Sequence, residues 1–212
     1  MERATRLSRA FARALWLSAI LTAALSGCAA YRGSAVGAES SLPTHEPGWV
    51  WVSGVPEVLQ RGDKDCGAAA MSAVLGYWGQ RATPEQIRLE LHHAAGDGLR
   101  AGELTTYARG RGLDAYAFKG DFGDVLSELR KGRPMIIGVA KRYGDDLLAH
   151  YEVVVGVHPA SQRVLTLDPA RGWRQNTWYG FTSEWEPTGR VAIVVFPSDR
   201  PGEAGGAGAQ LR

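Results

Sequence analysis

Cysteine is scarce in this 212-residue chain, which holds only Cys28 and Cys66. An excess of charge is missing as well, since 24 basic residues stand against 22 acidic ones for a formal charge of +2. With no basic stripe, nucleic acid is not an expected partner. There is no G-x-x-x-x-G-K-[ST] phosphate loop, so no ATP-binding domain is expected in this chain. The absence of an internal repeat argues against a solenoid. The most apolar stretch, Ala14 to Leu25, is too short for an ordinary transmembrane helix. Closely spaced ligand pairs are lacking too: His92 and His93 are adjacent on a helix and point in different directions. Neither a metal nor another cofactor is expected.

What the N-terminus does contain is an address. Arg3, Arg6, Arg9 and Arg13 precede the short apolar run, and small residues follow, the layout of a signal peptide over residues 1–27. Leu25-Ser26-Gly27-Cys28 resembles a bacterial lipobox, which implies a lipid on Cys28 at the start of the mature chain. Ala29 after it, by the same resemblance, points to the outer membrane facing the periplasm if the cell is Gram-negative. Removing the signal takes away four Arg and one Glu, leaving about −1. Residues 28–48, small and Pro/Gly-rich, read as a flexible tether, and 198–212 as a disordered tail. One domain is left, residues 49–197.

If Cys28 is acylated, Cys66 has no disulfide partner in a compartment where disulfides form readily. Such a thiol is either buried or chemically employed. Its context favours chemistry. Asp65 is a suitable N-cap, and Ala68, Ala69, Met71, Ala73, Val74 and Leu75 make a helix that Gly79 stops. The helix N-terminus favours a thiolate. Gly67 lets a substrate approach closely, and Gln60, six positions upstream, can donate a hydrogen bond to an oxyanion.

A thiol nucleophile requires a base and a residue that orients the base. His150 is read as opening a strand that runs through Val157, and Asp168 closes the next one before Pro169. An antiparallel hairpin brings Asp168 beside His150. His158, at the far end of the same strand next to Pro159, is more simply a turn residue.

Around these residues the pattern changes from helical to extended. Trp49–Val52 reads as a short strand, and Thr83-Pro84-Glu85-Gln86 starts a helix running to about Ala95. Further helices are expected at about 101–109 and 122–130, then strands at 135–139, 151–157, 164–167 and 191–196. Arg171 to Tyr179 reads as a loop forming one lip of a cleft, or as tryptophans packed on a sheet edge. Helices followed by strands make an α+β arrangement, N-terminal helices on a C-terminal antiparallel sheet.

Gln60, Asp65-Cys66-Gly67, His150-Tyr151 with its valine run, and Asp168-Pro169, in that order, resemble the bacteriocin-leader-processing (double-glycine) cysteine peptidases. These are family thirty-nine of the cysteine peptidases and have a papain-like fold. The resemblance implies Cys66 as nucleophile, His150 as base and acid, Asp168 as orienting carboxylate and Gln60 as oxyanion donor. It also implies a peptide or protein substrate. The best-known members are domains of export transporters, whereas this chain looks like a free-standing, lipid-anchored member; any transport partner would be a separate export system. A non-catalytic peptide-binding lipoprotein and an acyltransferase on the same fold are the alternatives.

Overall fold

The structure, a computed structural model, describes residues 32–92 and 98–198. The expected signal peptide, Cys28, His93 and the residues from 199 onward lie outside the described residues. The architecture is α+β. In chain order come β1 (Val36–Gly37), α1 (Leu42–His45), β2 (Val50–Trp51), α2 (Cys66–Tyr77), α3 (Pro84–Glu90), α4 (Ala101–Gly110) and β3 (Leu113–Lys119). Then follow α5 (Phe122–Arg130), β4 (Met135–Tyr143), β5 (Asp146–His158), β6 (Arg163–Asp168), β7 (Gly172–Thr177), α6 (Trp178–Trp185) and β8 (Val191–Pro197). The strands form one eight-stranded sheet in the order β1-β7-β6-β5-β4-β8-β3, with β2 added to β5. None of the described helices is long and apolar enough to cross a membrane.

Helix α2 is the axis of the core. Its first ten residues, Cys66 to Leu75, are all buried, which explains a sequence apolar nearly all round instead of along one stripe. Met71, Val74 and Leu75 join Ile136, Ile137, Val153, Val155 and Leu165 of the sheet in one cluster. Helix α3 carries the expected capping box: the Thr83 N–H donates to Gln86 Oε1 at 2.8 Å and the Gln86 N–H to Thr83 Oγ1 at 3.2 Å. It ends at Glu90, short of the expected Ala95, because His92 adopts a left-handed φ of 54°.

Three expectations need correction. His150 does not open its strand. β4 and β5 continue past it as a two-stranded arm, from Val139↔His150 out to Tyr143↔Asp146. Gly172–Thr177 is a strand, not a loop, because β7 pairs with β6 on one side and β1 on the other. Trp173 and Trp178 pack against the core, while Tyr179 is exposed. The span 28–48, read as a tether, lies on the sheet from residue 32 onward. Val36 pairs with Gln175, the Ala38 N–H donates to Trp173 O at 3.1 Å, and Arg32 bridges to Arg142. Backbone hydrogen bonds to a ready sheet edge hold a segment whose side chains alone could not.

Candidate active site

Cys66 is the first residue of α2, as its sequence predicts. Asp65 occupies the N-cap position, yet its side chain does not cap. The carboxylate accepts the Gly62 N–H at 2.9 Å and pairs with Arg88 of α3. The first-turn N–H groups of α2 are thereby left to face the sulfur and whatever binds beside it.

The sulfur meets the backbone N–H of Tyr151 as well as those of Gly67 and Cys66 itself. Tyr151 can offer its N–H because β5 pairs with β6 only from Val153 onward, so the edge at Tyr151 is uncovered. The Tyr151 ring lies over Gly67, where an added Cβ would sit 3.2 Å from its Cδ2. Gly67 thus admits an internal aromatic ring, which corrects its expected role of admitting substrate. Burial pushes the Cys66 thiol pKa up, and the three N–H groups and Lys64 only partly offset it. The expected low-pKa thiol is corrected accordingly: the helix N-terminus acts, but desolvation outweighs it.

His150 and Asp168 meet as the hairpin reading requires, with His150 Nε2 2.8 Å from Asp168 Oδ1. The other claim on that oxygen is the Ala170 N–H at 2.9 Å, which fixes the carboxylate. Burial lowers the His150 pKa to about 4 and raises that of Asp168 to about 6. Near neutral pH the pair is therefore a carboxylate accepting Nε2–H from a neutral imidazole, which leaves Nδ1 with its lone pair. The sulfur lies beside the next peptide along, at Tyr151.

Gln60 is brought to the same corner by its backbone, whose N–H donates to Pro169 O at 2.8 Å, one residue past Asp168. Its Oε1 is buried with no hydrogen-bond partner among the described residues. His158 is fully occupied elsewhere. Its Nε2 donates to Pro47 O at 3.0 Å, its Nδ1 accepts the Ser161 N–H at 3.2 Å, and Trp49 packs edge-on against the ring.

Behind His150 stands a group that the motif reading did not include. Lys141 of β4, Glu152 of β5 and Glu184 of α6 are 2%, 2% and 8% exposed. Lys141 Nζ is 2.6 Å from Glu152 Oε1 and 2.5 Å from Glu184 Oε2. Ser34 closes the group, donating its N–H and Oγ–H to Glu184 Oε1 at 2.5 and 2.7 Å, while Asn176 Nδ2 donates to Ser34 Oγ at 2.8 Å. Nitrogen and oxygen atoms of His150, Glu152 and Asp168 lie within 4.8 Å of one another. The available signal was Glu152 inside a valine run and Lys141 ending an apolar one.

Known proteins resemble this chain in sequence and in fold. Residues 55–200 match the sequence model of the Peptidase C39 family. The lactococcin-G-processing and transport ATP-binding protein LagD of Lactococcus lactis subsp. lactis is 30% identical over 143 residues, covering 68% of this chain and 19% of LagD. The pediocin PA-1 transport/processing ATP-binding protein PedD of Pediococcus acidilactici is 28% identical over 136 residues, covering 64% and 18%. The chain thus spans about a fifth of the length of these curated relatives. Among solved structures, the peptidase domain of Streptococcus ComA aligns with TM-score 0.56 at 22% identity, over 68% of this chain and all of that one. A C39-like peptidase from Bacillus anthracis gives 0.58 at 15% identity, over 72% of this chain and 99% of that one. These two carry the fold, which is that of papain-like C39 peptidase domains. With the family model covering most of the chain, this protein belongs to the Peptidase C39 family and is a cysteine peptidase.

Proposed function

We propose that Cys66, His150, Asp168 and Gln60 are the catalytic set and that the enzyme hydrolyses peptide bonds in exported peptides or proteins from a lipid anchor at Cys28. The observation that carries the reading is the 2.8 Å His150–Asp168 contact beside a thiol on the first turn of α2. Asp168 holds the Nε2–H tautomer, so Nδ1 is the nitrogen that takes the Cys66 proton. The thiolate attacks the substrate carbonyl, and the first-turn N–H groups of α2 with the Gln60 amide receive the oxyanion. His150 returns the proton to the leaving amine and then activates the water that clears the thioester. At rest burial keeps both the thiol and the imidazole neutral.

The neutral thiol, 7% exposed, is also what a non-catalytic peptide-binding module would have. A thiol-reactive peptidyl probe separates the two. Labelling of Cys66 well above that of denatured protein, with peptide hydrolysis abolished in Cys66→Ala, is the expected result; labelling no faster than in denatured protein favours the binding module. Amine incorporation exceeding hydrolysis would assign acyl transfer instead. The LagD and PedD names speak of the processing and transport of lactococcin G and pediocin PA-1, and a panel of peptides with and without Gly-Gly pairs tests whether this chain shares the preference implied by the double-glycine family. Replacement of Cys28 by Ser is expected to move the protein out of the membrane fraction, and unchanged partitioning removes the anchor.

A further inference from the structure

We propose that Glu152 is a positioning residue for His150: a second buried carboxylate that, with Asp168, supports the imidazolium formed when His150 takes the Cys66 proton. The inference rests on the catalytic assignment of His150 made above.

Catalysis asks an imidazole buried by the fold to become positively charged. Asp168 supplies one negative charge from β6. A second is already in place within 4.8 Å, on the same strand as the histidine and two residues along it. The alternation of β5 puts the two side chains on one side of the sheet while the intervening Tyr151 ring turns to Gly67. A lone buried glutamate would protonate and become useless as a counter-charge. Here the rest of the cluster prevents that. Lys141 lies against Glu152 and Glu184, and a Thr166 hydrogen bond adds to it, so the Glu152 carboxyl is held below its ordinary range despite burial.

Lys141 by itself would oppose an imidazolium. Glu184, fixed by both Ser34 donors, restores the balance. Lys141, Glu152 and Glu184 together carry a net charge of −1 facing His150 from β4, β5 and α6. Asp168 adds another from β6, with Arg171 and Arg174 beyond it. Taking a proton onto His150 brings the total of the five groups from −2 up to −1, so the buried cluster becomes less unbalanced as the thiolate forms. The proton leaves Cys66 Sγ and arrives on His150 Nδ1; no other bond changes.

The test compares full-length wild type, Glu152→Gln and Glu152→Asp. Glutamine keeps the volume and removes the charge. The expected result is a His150 titration, followed by imidazole nitrogen NMR, displaced downward by about one pH unit. The alkylation rate of Cys66 at pH 7 should fall about tenfold and converge with wild type above pH 10, where the free thiolate reacts without an imidazolium. Glu152→Asp should recover most of both signals, and His158, held by Pro47 and Ser161, serves as the unmoved reference. If Glu152→Gln does not fold, Glu184→Gln should move His150 in the same direction by a smaller amount. An unchanged His150 titration and alkylation profile in a folded Glu152→Gln or Glu184→Gln protein overturns the proposal. Because these readouts need no substrate, their failure is distinguishable from failure of the peptidase assignment, which shows as absent hydrolysis by wild type.

Discussion

Asp168 and His150 are each shifted away from the charged form by burial, and the two shifts have opposite effects on stability as pH falls. The His150 pKa drops from 6.5 to about 4, so between those values the unfolded chain binds the proton first and the fold loses stability. The Asp168 pKa rises from 3.8 to about 6, so in nearly the same window the folded chain binds first and gains. Each amounts to about 3 kcal/mol and they largely cancel. Wild type should therefore show little pH dependence from this pair between pH 6.5 and 4. Asp168→Asn removes the gain and keeps the loss, so its denaturant-derived stability should fall by about 3 kcal/mol more than wild type over that range. Equal slopes for the two proteins would refute the opposition. At this scale the sequence was readable where chemistry dictates a residue type in a fixed order. Gln60, Cys66, His150 and Asp168 were read that way, and the fold brings His150 to Asp168, the Gln60 backbone to Pro169 and the Cys66 sulfur to Tyr151. Glu152, Lys141 and Glu184 were not, because their significance lies in mutual contact across three elements. The thiol's raised pKa was also illegible, since it depends on how deeply α2 is covered.

Among the elements, α2 and the loop before it decide whether Gln60 reaches the site. The loop crosses α2 at Gly76, where an added Cβ would come within 2.8 Å of Pro56 Cγ. Neither partner can yield easily, since Pro56 is a ring and Gly76 lies within a helix. Gly76→Ala should therefore push the loop off the helix. The expected outcome is a destabilisation of about 1–3 kcal/mol and a fall in turnover toward the level of Gln60→Ala, on the order of 10²–10³-fold if the amide is an oxyanion donor. A destabilised Gly76→Ala enzyme with undiminished turnover would detach Gln60 from catalysis. Four helices and four of the longer strands were legible from caps, glycines and apolar runs. β3 was missed although Leu113, Ala115 and Ala117 alternate with polar and aromatic neighbours, since it lies between helices and its partner β8 is some eighty residues away. β7 was missed because Arg174, Gln175 and Asn176 resemble a loop; their polarity is tolerated where β1 and the Ser34 network receive them. The outward arm of β4 and β5 was hidden by Lys141, Arg142, Asp145 and Asp146, whose charges obscure a regular ladder.

For the molecule as a whole, the first described residues matter more than their composition suggested. Small and polar, they read as tether because composition reports what a segment can bury by itself, not the sheet edge it will meet. Ser34 connects this segment to the interior through Glu184, and the Arg174 guanidinium donates to Ala35 O. Deleting residues 32–37 should cost a few kcal/mol in denaturant melts, and Ser34→Ala alone about 1–3 kcal/mol, because it leaves a buried carboxylate short of a donor. An unaltered melt for the deletion would return the segment to the status of a linker. The docked strand also sets a working height. Cys28 stands four residues before Arg32, and four extended residues reach at most about 14 Å, where a free span up to Trp49 could reach about 70 Å. A lipid on Cys28 would hold this side of the domain almost on the headgroups. The enzyme would then serve as a fixed station, meeting chains that pass along the bilayer surface and leaving those in open solution beyond its range.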